Sequence, residues 1–268
     1  MFYADYHVHT SFSSDCHEEM ENQIKKGIDS GLKEIALTDH VDFDYPDTEF
    51  PFMIDYDEYM KAFSFLKDKY KNKINLILGV ELGFQPHIIK DLEEFINRYP
   101  FDFVICSMHV CDRLDLYNGD FFKGKEQKNA YLRYFECVLD NVKNFTNYDV
   151  YGHIDYINRY GNFSNKHLSP EDYMDIIDTI LKNIIASEKG IELNTSGYRY
   201  DLGHANPQFP ILKRYKELGG KIVTIGSDAH HSQDICSNFT HAYEILKESG
   251  FTEFALFSNR KPHFMKLQ

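Results

Sequence analysis

His7 and His9 stand two residues apart near the start of the chain, and Asp228 and His230 repeat that spacing near its end. On an extended segment, side chains at i and i+2 leave by the same face, so each pair can grip a cation. Imidazole nitrogen together with carboxylate oxygen suits zinc, iron or manganese, whereas magnesium alone favours an all-oxygen shell. Side chains of the same kind lie between the two pairs, in Thr38-Asp39-His40, Gly79-Val80-Glu81, Ser107-Met108-His109 and Gly152-His153-Ile154-Asp155. Nine candidate ligands exceed what one tetrahedral or octahedral ion can use. Two to three divalent ions are therefore implied, and a carboxylate such as Glu81 can bridge two of them.

Each of these groups closes a short apolar run. The runs cover residues 3–9, 34–40, 74–82, 101–109, 149–156, 190–194 and 221–228, and all but the sixth carry His, Asp or Glu at or next to their last residue. Amphipathic stretches at residues 18–30, 56–70, 88–99, 130–141, 170–189 and 210–218 alternate with them. Strand alternating with helix implies parallel strands joined by right-handed crossovers. In a closed parallel barrel all the strand ends meet at one mouth, where barrel enzymes keep their active sites. An open sheet would spread them along an edge with only a switch-point crevice to use. Convergence from six strands favours closure, and burying so many ionisable groups without compensating cations would be severely destabilising.

The remaining features bound the partners. The chain has 268 residues, 43% of them hydrophobic, and no run of 18 apolar residues that would span a membrane. With 42 acidic against 29 basic residues, its formal charge of −13 disfavours a nucleic-acid backbone or an anionic membrane as the main partner. The start lacks the basic and apolar segments of a secretory signal, so a cytoplasmic location is expected. The five cysteines are scattered with no Cys-x-x-Cys pair, and reduced thiols are expected.

The segment Asp5-Tyr6-His7-Val8-His9-Thr10-Ser11-Phe12-Ser13-Ser14-Asp15, taken with Thr38-Asp39-His40, Glu81, Ser107-Met108-His109, Gly152-His153 and Gly226-Ser227-Asp228-Ala229-His230, resembles the polymerase-and-histidinol-phosphatase (PHP) superfamily. The match runs in motif order from about residue 3 to about residue 231. Within it, Thr38-Asp39-His40-Val41-Asp42-Phe43, Gly152-His153-Ile154-Asp155 and Glu192-Leu193-Asn194-Thr195-Ser196-Gly197-Tyr198-Arg199 look most like the histidinol-phosphate phosphatase branch.

The resemblance implies an α/β fold, a distorted seven-stranded (β/α)7 TIM-like barrel forming a single domain over residues 1–268, with a trinuclear metal site. It implies that His7, His9, Glu81 and Asp228 hold one ion, that Glu81, His109 and His153 hold a second, and that Asp15, His40 and His230 hold the third. His17 competes with Asp15 for the last position. The implied reaction is hydrolysis of a phosphate monoester, most specifically L-histidinol phosphate, by a hydroxide shared between two ions and placed in line with phosphorus. Arg159 and Arg199 are candidates to neutralise the phosphoryl oxygens, since guanidinium binds phosphate bidentately. His204 and His17 are further substrate candidates, and Asp228, His230 or His17 could protonate the leaving alkoxide. The expected partner is a small phosphate ester. A phosphodiesterase or exonuclease on the same barrel would need a basic groove, and the charge balance offers no evident one. An amidohydrolase-like reaction on a C–N bond and a purely structural metal module also compete with the phosphatase. A vestigial metal site should have lost ligands, and none is missing.

Overall fold

The computed structural model describes residues 2–47, 52–161, 163–165 and 167–267. Strands β1 (Ala4–Val8), β2 (Glu34–Leu37), β3 (His40–Val41), β4 (Asn75–Gly83), β5 (Phe103–Ser107), the short pair β6 (Val110–Cys111) and β7 (Leu114–Asp115), β8 (Val150–Tyr151), β9 (Gly190–Asn194) and β10 (Val223–Gly226) are followed by a C-terminal hairpin, β11 (Glu253–Ser258) and β12 (Lys261–Lys266). Parallel pairing in the order β1-β2-β4-β5-β8-β9-β10 builds the seven-stranded barrel that the sequence leads one to expect. Almost every residue of these strands is buried, as parallel strands covered by helices must be.

The helices are α1 (Met20–Asp29), α2 (Tyr56–Tyr70), α3 (Ile89–Arg98), α4 (Gln127–Asn144), α5 (Met174–Ala186), the one-turn α6 (Ser196–Arg199), α7 (Phe209–Glu217) and α8 (Phe239–Glu248). Asp55 caps α2 by accepting from the Asp57 and Glu58 amides, which satisfies two N–H groups that a helix start otherwise leaves open. On α5, Ile177, Ile180, Leu181 and Ile184 recur at helical spacing and form its buried face. The 170–189 stretch begins as a 3-10 turn at Pro170–Tyr173, so the regular helix starts later than its sequence suggests. No helix among the described residues is long and apolar enough to cross a membrane.

Two runs depart from a plain strand, in both cases because side chains take over the ladder. The 34–40 run breaks into β2 and β3. Between them the Thr38 hydroxyl accepts from the Val8 amide at 3.1 Å, and Asp39 accepts from the Thr10 amide at 2.6 Å. The 149–156 run keeps only β8, because the His153 amide donates to the Glu192 carboxylate at 3.1 Å instead of to a neighbouring strand. A 3-10 turn, Tyr156–Arg159, follows at once.

Closure occurs where β1 meets the end of β10. The His9 amide donates to the Ala229 carbonyl at 3.0 Å, and the Ala229 amide to the His7 carbonyl at 3.3 Å. The seam that closes the barrel therefore aligns His7 and His9 with Asp228 and His230. At the opposite end, the β11–β12 hairpin is tied to the strand starts. The Arg260 amide donates to the Asp102 carbonyl at 2.9 Å, and the Arg260 guanidinium pairs with Asp149.

The expectation of five reduced thiols is corrected. The β6–β7 hairpin lies along α4 and brings Cys111 and Cys137 to a Cα separation of 6.4 Å, within bridging reach, and the two are joined as a disulfide. Cys16, Cys106 and Cys236 are free. A pairing 26 residues apart, formed by one hairpin against one helix, leaves no local sequence pattern.

Candidate metal centre

All nine ligands expected from the sequence meet at the C-terminal mouth of the barrel, arranged around the two oxygens of Glu81. Glu81 Oε2 lies 3.1 Å from His7 Nε2, 3.5 Å from His9 Nε2 and 3.1 Å from His40 Nδ1. Its other oxygen, Oε1, lies 2.8 Å from His153 Nε2 and 3.3 Å from His109 Nε2. Asp228 Oδ1 completes the first group at 3.4 Å from His9 Nε2 and 3.8 Å from His7 Nε2. Asp15 Oδ2 stands at the outer rim, 3.2 Å from His230 Nε2 and 3.7 Å from His40 Nε2. His17 is exposed and joins none of the ligand groups found among the described residues. Of the two candidates for the rim position, Asp15 is the one within reach.

His9 shows what this arrangement requires. Its Nδ1 faces the Ser13 hydroxyl at 3.4 Å, while Nε2 is buried without a hydrogen-bond partner. Burial, reinforced by the neighbouring His230 and His40 rings, holds the His9 imidazole down at about 3, so it is neutral at ordinary pH. A neutral ring donating from Nδ1 turns a lone pair toward Glu81 and Asp228, which are also acceptors. Three acceptors with no proton among them are satisfied by a cation. The donor set fits a borderline-soft divalent metal.

Other rings carry protons where a metal would sit. Burial alone would lower His40, but Glu81 and Asp15 raise it to about 9. Burial likewise opposes charge on His7 and His109, yet carboxylates lift both well above the usual imidazole range, Glu192 and Glu81 acting on His7 and Asp42 and Glu81 on His109. Burial would raise Glu81 and Asp228, and the surrounding cations hold both well below the ordinary carboxylate range.

The candidate cations and the remaining histidine occupy different places. Arg159 is buried, its guanidinium over the rings of Tyr200 at 4.1 Å and Tyr156 at 4.8 Å. Its Nη2 donates to the Ser196 hydroxyl and lies 3.5 Å from Asp228 Oδ2, while Nε has no partner. Arg199 instead donates to backbone, to the Ser227 carbonyl at 3.1 Å and the Asp228 carbonyl at 2.6 Å. It braces Asp228, whose φ of 54° lies in the left-handed region. His204 is half-buried, with Nε2 3.4 Å from the Asn158 amide nitrogen. Asp39 and Asp155, which also end apolar runs, turn away to bind the Thr10 and Gln208 amides at 2.6 and 2.9 Å.

Sequence reasoning missed the residues behind the ligands. Glu192, on the one strand without a terminal ligand, accepts from His7 Nδ1 at 2.5 Å and from the His153 amide at 3.1 Å. Asn194 on the same strand reaches Asp228 Oδ2 at 3.4 Å. Such partners fix ring orientation and ligand basicity. The available signal was Glu-x-Asn inside an otherwise apolar buried strand. Gly226 makes room for this contact, since a Cβ there would fall 2.4 Å from both Glu192 Oε1 and His7 Cβ. Gly226→Ala should therefore destabilise the protein by about 1–3 kcal/mol, as overpacked cores do. An unchanged melting temperature would show that His7 and Glu192 shift aside freely.

The PHP domain family model matches residues 5–196 of the chain. The histidinol-phosphatase of Lactococcus lactis subsp. lactis is 34% identical over 260 residues, covering 96% of this chain and 95% of that protein. A "probable histidinol-phosphatase" of Clostridium acetobutylicum is 36% identical, covering 91% and 92%. Among solved structures, histidinol phosphate phosphatase from Lactococcus lactis subsp. lactis, complexed with zinc, L-histidinol and phosphate, superposes with a TM-score of 0.91. It is 32% identical, with 97% of this chain and 98% of that one covered. With a family model matching most of the chain and relatives of this identity aligned over nearly their whole length, the chain belongs to the PHP domain family.

Proposed function

We propose that the protein hydrolyses L-histidinol phosphate to L-histidinol and inorganic phosphate, using three divalent ions held by His7, His9, Glu81 and Asp228, by Glu81, His109 and His153, and by Asp15, His40 and His230. The observation that carries this reading is the neutral His9 lone pair facing Glu81 and Asp228, with a buried arginine at the edge of the same group. When bound, the ions activate water as a nucleophile near neutral pH and neutralise phosphoryl charge. Zinc is the metal in the Lactococcus structure, and manganese and iron suit the same donors.

The chain's own groups do the rest. Arg159 is charged at any working pH, and its unpartnered Nε is a donor left over for a phosphoryl oxygen. The tyrosine rings stacked on it keep the guanidinium from collapsing fully onto Asp228. Asp228, held well below the ordinary carboxylate range, serves in this reading as an ion ligand, and the leaving alkoxide takes its proton from another donor. Arg199 acts on substrate only through the backbone it braces.

Turnover of histidinol phosphate, a phosphodiester and a cyclic amide on the metal-loaded protein tests the assignment, and preference for either of the last two would overturn it. Arg159→Ala should lose roughly 10- to 100-fold in kcat/KM with its metal content intact, the cost of ~1.5–3 kcal/mol for one charge-assisted contact. Inorganic phosphate should inhibit that variant less than the parent. Parental kinetics in Arg159→Ala would assign the phosphate to another group.

A further inference from the structure

Asp42 is a buried carboxylate outside the three proposed ion groups and the phosphate contact, although it stands close enough to His40 and His109 to form a further cluster with them. Its position follows from strand register. β3 pairs His40 with Glu81 and Val41 with Leu82, so Asp42 arrives opposite Gly83, while Gly83 pairs on its other side with Ser107, two residues before His109. Asp42 Oδ1 accepts from His109 Nδ1 at 2.8 Å. Asp42 Oδ2 is buried without a hydrogen-bond partner, 3.6 Å from His40 Nδ1, which also lies 3.1 Å from Glu81 Oε2. The carboxylate occupies space that only glycine leaves open, because a Cβ on Gly83 would lie 1.7 Å from Asp42 Oδ1.

We propose that Asp42 is a positioning residue shared by His40 and His109, that it couples two ion positions through one carboxylate, and that Gly83 supplies its seat. With the proton of His109 fixed on Nδ1, the Nε2 lone pair must point at the Glu81 side of the mouth. His40 Nδ1 stands between Glu81 Oε2 and Asp42 Oδ2, so a proton held there by Asp42 leaves the lone pair on Nε2, 3.7 Å from Asp15. One carboxylate thereby selects the tautomer of a ligand in the second group and of a ligand in the third. An asparagine there would offer one acceptor oxygen in place of two, so the two rings could not each meet an oxygen of their own.

The inference rests on the metal-dependent reading of the mouth but needs no substrate, so its test is separate from the phosphatase assay. Asp42→Asn and Gly83→Ala, prepared metal-free, are titrated with zinc against a chromophoric chelator, and bound ions are counted by elemental analysis. Outer carboxylates of this kind are worth about 10- to 100-fold in metal affinity. The expected result is a loss of that order at two ion positions in Asp42→Asn, with the full count recovered at higher zinc. Gly83→Ala removes no polar group and should show the same pattern, because its methyl displaces the Asp42 carboxylate. A metal-free thermal scan of each variant confirms cooperative folding, and Gly83→Ala carries the test if Asp42→Asn does not fold. Parental zinc affinity in the folded variants would overturn the proposal. So would an ion missing even at saturating zinc, since that would make Asp42 a direct ligand.

Discussion

Protein stripped of divalent metal should have no measurable phosphatase activity, and zinc, manganese or iron should restore it. Five imidazoles lie within 3.5 Å of the two Glu81 oxygens, and no group in the mouth other than a bound cation can both neutralise the carboxylates and activate water. Protons fill part of this role in the metal-free protein, which gives the prediction a pH signature. His40 is raised from 6.5 to about 9 when folded. Its contribution to metal-free stability is thus fully present below pH 6.5 and is lost as pH rises toward 9. His7 and His109 are raised as well and act in the same direction. His9, lowered to about 3, acts in the opposite sense: it costs stability as pH falls below 6.5 and adds nothing to the pH dependence above it. Zinc must displace the protons on His40, His7 and His109, so its affinity rises over the same interval. The gain in melting temperature on adding zinc should accordingly widen from pH 6.5 to 9. Full activity in rigorously metal-free protein would end the metal hypothesis, and a zinc-induced gain that shrinks with pH would remove the protonated-cluster account.

Replacing Glu81 should be nearly as damaging as removing the metal. Glutamine keeps the volume but offers one acceptor oxygen, and its amide group would face the proton-bearing His7, His40 or His109 rings, or the cations that replace those protons, donor against donor. The Ser107 hydroxyl, which donates to Glu81 Oε1 at 2.6 Å, would hold whichever end remained an acceptor. One of the two groups of rings loses its shared carboxylate in either orientation. Removing a single preorganised electrostatic contact in an active site typically costs ~10²–10³ in kcat. We expect at least that loss for Glu81→Gln, together with a lower ion count by elemental analysis. A parental metal load combined with a near-parental rate would show that Glu81 bridges nothing.

Much of this architecture is legible in the chain itself. Apolar runs alternating with amphipathic stretches indicate parallel strands buried on both faces, and it is the His, Asp and Glu ends converging from six of them that favour a closed barrel. The ligands are visible because His, Asp and Glu at the ends of such runs have no cheaper explanation than a cation. Spacing at i and i+2 even marks the two pairs that the barrel seam brings together. Less of the local structure can be read. The 34–40 and 149–156 runs look like single strands, but Thr38, Asp39 and Glu192 take the backbone partners a continuous ladder would have used.

What the sequence by itself determined was the set of groups able to hold metal and the architecture that gathers them. Only the tertiary structure decided which groups face into the mouth and which stand behind them. Asp39, Asp42, Asp155 and Glu192 are the same kind of residue as Asp15, Glu81 and Asp228, and nothing in their local sequence separates the two classes. The separation comes from register and closure: Asp42 meets His109 because Gly83 lacks a side chain, and Glu192 meets His7 because Gly226 does. Arg159 and Arg199 divide in the same way, since one ends in the mouth and the other on the carbonyls just past the last barrel strand. Contacts between strands far apart in the chain are set by packing, which a one-dimensional pattern does not encode.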